Sequence, residues 1–167
     1  NSNTWSNTFA VNTGDGADAI TINGDRNATD AVIDSGSGND RVTIGDSVEQ
    51  STVNLGDGDD VFSASSGQNT VTGGAGQDTF IIDGYNGGLT VTDFGGVGGG
   101  GDGEAGLIDQ HDTLQFNGSG LTAENMLLSY DGQHTTISFD GVAGGQVVLE
   151  NFDFLIYQNT NWYNFGW

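Results

Sequence analysis

Asp18, Asp40, Asp60 and Asp78 recur at intervals of 22, 20 and 18 residues, each at the same place in a glycine-punctuated segment. The segments are Thr13-Gly-Asp-Gly-Ala-Asp-Ala-Ile20, Ser35-Gly-Ser-Gly-Asn-Asp-Arg-Val42, Leu55-Gly-Asp-Gly-Asp-Asp-Val-Phe62 and Gly73-Gly-Ala-Gly-Gln-Asp-Thr-Phe80. In each, glycine holds the second and fourth positions (Gly14 and Gly16, Gly36 and Gly38, Gly56 and Gly58, Gly74 and Gly76), aspartate the sixth and a large apolar residue the eighth. If the segments stack, the carboxylates form a column about one strand spacing apart, roughly 4.8 Å. Carboxylates that close resist ionisation unless cations lie between them. Calcium suits such a place, because it takes hard oxygen ligands and glycine turns offer main-chain carbonyls freely. Zinc and copper do not, since the chain has no cysteine and two histidines. Magnesium demands a stricter octahedron and holds its waters more tightly.

The elements that must position this column are legible in the apolar spacing. Counted in nines with short insertions before Ile33 and before Val53, the apolar positions run Val11, Ile20, Ile33, Val42, Val53, Phe62, Val71 and Phe80. Half-turns bearing an aspartate alternate with plain ones, whose sixth positions are Phe9, Ala31, Ser51 and Asn69. A glycine turn of six residues leads into a three-residue strand with its middle side chain inward, so one coil carries two short strands. Stacked coils then make two parallel sheets around a narrow apolar interior, and parallel crossovers of this kind are right-handed. The expected fold is therefore all-β: a right-handed parallel β-roll, a form of β-solenoid.

The pattern Gly-Gly-x-Gly-x-Asp-x-apolar-x resembles the repeat of the repeats-in-toxin family. Gly73–Ile81 matches it in full, and the other three segments lack the first glycine. The resemblance implies calcium ions between successive turns. One turn lends the carbonyls of its second and fourth positions and its aspartate. The other lends the carbonyls of its first and third positions and its aspartate. Carried onto this chain, the implied ligands come from Thr13, Gly14, Asp15, Gly16 and Asp18; Ser35, Gly36, Ser37, Gly38 and Asp40; Leu55, Gly56, Asp57, Gly58 and Asp60; and Gly73, Gly74, Ala75, Gly76 and Asp78. Three ions would lie between Asp18 and Asp40, Asp40 and Asp60, and Asp60 and Asp78. The plain edge would bind none. Family members are implied to be secreted by a one-step, type I system and to fold outside the cell.

A fourth ion follows from the spacing itself. Val91 stands 20 residues after Val71, and Gly95-Gly-Val-Gly98 imitates the first four positions of another turn. Its aspartate is absent where expected, but Asp112-Thr-Leu114 repeats Asp78-Thr-Phe80. With Gly99–Gln110 as an insertion and His111 at the fifth position, Asp112 pairs with Asp78, and the resemblance then implies carbonyls from Gly95 and Val97.

Charge and composition narrow the function classes. The formal net charge is −21, with 23 acidic residues against two basic ones. Almost nothing is present to neutralise phosphate or dock on an anionic membrane surface, so nucleic acid and membrane insertion are excluded. A compact chain this acidic repels itself. It must recruit cations or stay unfolded, and periodic apolar residues speak against permanent disorder. No run of about 18 apolar residues is present, and Asn1–Ala10 lacks the basic start and apolar stretch of a cleavable signal.

Residues 1–94 read as the calcium-binding roll, and residues 95–167 as a glycine-rich insertion and an antiparallel β cap continuous with it. In the cap, Thr122 is placed to start a single helical turn. Leu127–Tyr130 and Thr135–Phe139 flank Asp131-Gly132, and Gln146–Glu150 follows Asp140-Gly141, as strands joined by turns. Gly95–Gly106 lacks the Lys-Ser/Thr ending of a phosphate loop. Asp102, Glu104 and Asp109 read as a solvated acidic loop before they read as a metal site. His111 and His134 have no catalytic partner at useful spacing, and no Gly-x-Ser-x-Gly or His-Glu-x-x-His run occurs. The expected role is a non-catalytic, secreted calcium-binding module. A glycan- or surface-binding module of an adhesin is the alternative, and an accessory domain of a secreted enzyme a third. The aromatics Phe152, Phe154, Tyr157, Trp162, Tyr163, Phe165 and Trp167 fit cap packing first, and a glycan or neighbouring-domain contact second.

Overall fold

The computed structural model describes residues 8–23, 30–46, 48–95 and 111–153. Their regular elements are strands: β1 (Thr8–Asn12), β2 (Ala19–Ile22), β3 (Asp30–Asp34), β4 (Arg41–Ile44), β5 (Gln50–Asp57), β6 (Val61–Ala75), β7 (Thr79–Val91), β8 (Thr113–Asn117), β9 (Met126–Tyr130), β10 (Thr135–Phe139) and β11 (Gln146–Leu149). Alternation makes them so. In β4 Val42 and Ile44 point inward while Arg41 and Thr43 point outward, and β5 keeps the same period through Leu55.

The chain is an all-β parallel β-roll with two faces. One face pairs β2 with β4, β4 with the start of β6, β6 with the start of β7, and β7 with β8. The other runs β1, β3, β5, the end of β6, the end of β7 and then β11. β6 and β7 pass through both faces, so they span 15 and 13 residues where three-residue strands were expected. The backbone stays paired through the bend: Gly56 and Asp57 sit in register with Gly74 and Ala75.

Among the register columns that face the interior are the two that hold the expected apolar positions. Val11, Ile33, Val53, Val71, Val91 and Leu149 form one. Ile20, Val42, Phe62, Phe80 and Leu114 form the other. Val42, Phe62, Val71, Phe80 and Val91 have no exposed surface at all. No coil could bury such residues alone, so the stack stands or falls as a unit.

The cap differs from expectation in two ways. β9 and β10 are antiparallel, as are β10 and β11, but β11 joins β7 in parallel. The reason is that Val147 and Leu149 continue the columns of Leu89 and Val91. At Thr122 there is no helical turn. The Asn125 side chain accepts from the Thr122 N–H (3.1 Å) and hydroxyl (2.7 Å) and donates to the Gly120 carbonyl (2.6 Å), which ties the segment into a hydrogen-bonded turn. Phe94 packs between Phe80 (6.2 Å) and Phe152 (5.4 Å, edge-on) to close the interior.

Candidate metal centre

The glycine turns stack as the sequence requires. All eight glycines at second and fourth positions have positive φ, from 88° at Gly14 to 135° at Gly58. A Cβ at Gly36 would overlap the carbonyl oxygen of Gly14, and one at Gly56 that of Gly36. The carbonyls of each lower coil therefore point straight at the next, which is possible only without side chains there. The third positions Asp15, Ser37, Asp57 and Ala75 also stack in register.

The four aspartates form a column locked by the main chain. Asp18 N–H donates to Asp40 Oδ1 (2.8 Å), Asp40 N–H to Asp60 Oδ1 (2.7 Å) and Asp60 N–H to Asp78 Oδ1 (3.0 Å). Each aspartate carbonyl accepts in turn from the following coil, as Asp40 does from Val61 N–H (2.9 Å) and Asp60 from Thr79 N–H (2.8 Å). Asp40, Asp60 and Asp78 are 2 %, 1 % and 1 % exposed. One oxygen of the Asp40, Asp60 and Asp78 carboxylates is thus spoken for. The other is not: Oδ2 of Asp18, Asp40, Asp60 and Asp78 is buried and has no hydrogen-bond partner among the described residues.

Four orphaned carboxylate oxygens in one line are costly. A buried acceptor left unpaired loses about 1–3 kcal/mol, more if charged. Neighbouring charges one strand spacing apart repel by about 3–4 kcal/mol at an effective dielectric of about 20. Asp60 and Asp78 respond by holding their protons more tightly. Burial, followed by the neighbouring carboxylates, pushes Asp78 up to about 7. Burial also raises Asp60, with Asp40 and Asp59 adding to it.

Asp112 joins the column where the spacing placed it. Asp78 N–H donates to its Oδ1 (3.0 Å), and Thr113 to Asn117 run in register with Thr79 to Asp83. Its second oxygen differs from the others, because Gly95 N–H donates to Oδ2 (2.7 Å). Burial raises Asp112 as well, against those two hydrogen bonds. Val97, Asp102, Glu104 and Asp109 lie outside the described residues, as do all the tail aromatics named above except Phe152.

The first positions were expected to lend only carbonyls, yet their side chains act too. The Thr13 hydroxyl donates to the Ser35 carbonyl (2.9 Å), and the Ser35 hydroxyl to the Leu55 carbonyl (2.9 Å). Each carbonyl keeps a second lone pair. Asp93 was missed altogether. Its two carboxylate oxygens accept from Gly73 N–H and Gly74 N–H, both at 2.8 Å, and so replace the main chain of the next glycine turn. The available signal was its position, 20 residues beyond Gly73, the same interval that separates Val71 from Val91.

No family model, curated protein or solved structure matches the chain. The site must be judged on its own donors. Among the described residues no three Asp, Glu or His side chains converge on one point. The column presents carboxylates two at a time, so any ion there takes the rest of its oxygens from the carbonyls of the glycine turns. A hard cation with a tolerant coordination number fits that donor set. At the plain edge Phe9, Ala31, Ser51, Asn69, Leu89 and Val147 occupy the register column, and the Ser51 hydroxyl is bonded to the Asn69 amide oxygen.

Proposed function

We propose that this chain is a non-catalytic calcium-binding module of a secreted bacterial protein of the repeats-in-toxin type, which folds as calcium fills the aspartate edge. The observation that carries the reading is the line of buried, unpartnered Oδ2 atoms on Asp18, Asp40, Asp60 and Asp78. Three ions lie between Asp18 and Asp40, Asp40 and Asp60, and Asp60 and Asp78, with the carbonyls of the two adjoining glycine turns. A fourth, between Asp78 and Asp112, is weaker, because Gly95 already occupies the second oxygen of Asp112. Bound calcium supplies positive charge that cancels the column's repulsion and ligates the orphaned oxygens. Since an unfolded chain has no preformed site, that binding energy is folding energy. Extracellular modules bind calcium at roughly 10⁻⁴–10⁻³ M, so such a chain stays open in a low-calcium cytoplasm and closes outside the cell.

Native mass spectrometry during a calcium titration tests this directly. Three ions are expected to bind together as the chain compacts, with a fourth appearing last. Fewer than three ions, or equal occupancy by magnesium at the same concentration, sinks the assignment. The pairing has its own test. Asp60 serves two proposed ions and Asp18 one, so Asp60→Asn is expected to raise the calcium midpoint several-fold more than Asp18→Asn. Equal midpoints for the two variants would count against the scheme.

A further inference from the structure

The outward side of the second sheet carries two aligned clefts. Gln50, Gln68, Gly88 and Gln146 share one register column, and Thr52, Thr70, Thr90 and Val148 share the next. Gly88 interrupts the glutamine column and the end of the Gln68 side chain lies over it; beside them is a cleft of about 310 Å³ lined by Gln68, Gly87, Gly88, Thr90, Gly144 and Gln146. A second cleft of about 260 Å³ lies on the same columns, lined by Thr8, Asp30, Val32, Gln50 and Thr52. The first crosses β6, β7 and β11, the second β1, β3 and β5, which puts them three strand spacings apart, roughly 14 Å along the roll. The side chains of Gln50, Gln68, Thr52, Thr70, Thr90 and Gln146 make no hydrogen bond to any described residue.

We infer that this face binds an extended, neutral glycan laid along the roll axis, with a sugar seated in each cleft. Carboxamides and hydroxyls donate and accept at once, which matches adjacent sugar hydroxyls. The spacing of two clefts on common columns suits a linear polymer better than a compact ligand. The chain's charge of −21 repels nucleic acid and acidic polysaccharides. A peptide strand would need an open sheet edge, whereas β3, β5, β6, β7 and β11 are already paired on both sides, and among the described residues of this face only β1, at the far end of the second cleft, has an open side. The site is separate from the aspartate edge and requires only that the roll be folded.

The test uses the calcium-loaded full chain, with folding checked by circular dichroism, on beads of dextran, mannan, chitin, agarose and heparin. Retention is expected on at least one neutral polymer and not on heparin, with elution by soluble oligosaccharide of the same kind. Gly88→Gln is the informative variant. Gly88 is outside the left-handed region, and a Cβ there meets only the flexible end of Gln68, so the substitution fills the cleft without straining the fold. Gly88→Gln and the double variant Gln68→Ala/Gln146→Ala are each expected to weaken retention about tenfold, the worth of one or two hydrogen bonds. Thr43→Ala, on the opposite face, is expected to leave it unchanged. The inference is overturned if no neutral polymer retains the folded protein, if heparin alone does, or if Gly88→Gln binds like the parent. Loss of binding in Trp162→Ala with Gly88→Gln unaffected also overturns it, by moving the site to the aromatic tail.

Discussion

Chelation of calcium at about pH 7.5 is expected to turn a strand-rich circular dichroism spectrum into that of a coil, and acidifying the chelated sample to about pH 5 to restore part of it. The two halves have one cause. In the metal-free roll Asp60, Asp78 and Asp112 hold protons above the ordinary carboxylate value of 3.8, Asp78 up to about 7, chiefly because burial penalises the charged form. The folded chain then binds more protons than the unfolded one between those limits. The stability that these three groups contribute is full below about pH 4 and falls as pH rises through about 7. At neutral pH nothing remains to offset the column's repulsion except a cation. With calcium present the dependence inverts, because ion and proton compete for the same oxygens: affinity rises with pH, and binding releases protons. A chelated spectrum that stays strand-rich at neutral pH would refute calcium-coupled folding. One that stays coil-like at about pH 5 would refute the protonation account while leaving calcium binding intact.

Gly56→Ala is expected to abolish calcium-induced folding, whereas Gly14→Ala merely raises the calcium midpoint. Both glycines hold second positions with positive φ, 108° and 88°. An alanine at either therefore costs about 1–3 kcal/mol of backbone strain. At Gly14 that is the whole cost, because no atom lies within 4 Å of the added Cβ. At Gly56 the methyl group would overlap the Gly36 carbonyl oxygen, a main-chain atom that cannot swing aside. Two coils must part to admit it, which breaks the column between Asp40 and Asp60 and splits the stack. Far-ultraviolet circular dichroism across a calcium series separates the two variants. Similar midpoints would show that coil contact at the turns is looser than the paired backbone implies.

The sequence by itself determined the repeating unit and its stacking. A positive φ at every second and fourth position demands glycine, the sixth position repeats a carboxylate, and the eighth repeats an apolar side chain. Those are demands on single residues, so they are visible residue by residue. Even Asp112 could be found from its Asp-Thr-apolar context after a long insertion. What only the tertiary structure decided is which groups meet across coils 17 to 34 residues apart. Spacing showed that Asp112 belongs to the column, but not that Gly95 N–H takes its second oxygen and leaves Asp78 the last unpartnered one. Nor did it show that Asp93 closes the ladder over Gly73 and Gly74, or that the Asn125 side chain holds Thr122 in a turn. The parallel entry of β11 has the same origin. Its alternation is common to parallel and antiparallel strands, and only the fit of Val147 and Leu149 onto Leu89 and Val91 selects the direction. The cleft beside Gly88 lies where Gln68 and Gln146 flank a glycine in register, an alignment that only the neighbouring coils supply. Local pattern sets what each residue permits; the neighbouring coil supplies the partner that turns a carboxylate into a cap, a ladder rung or an unfilled ligand.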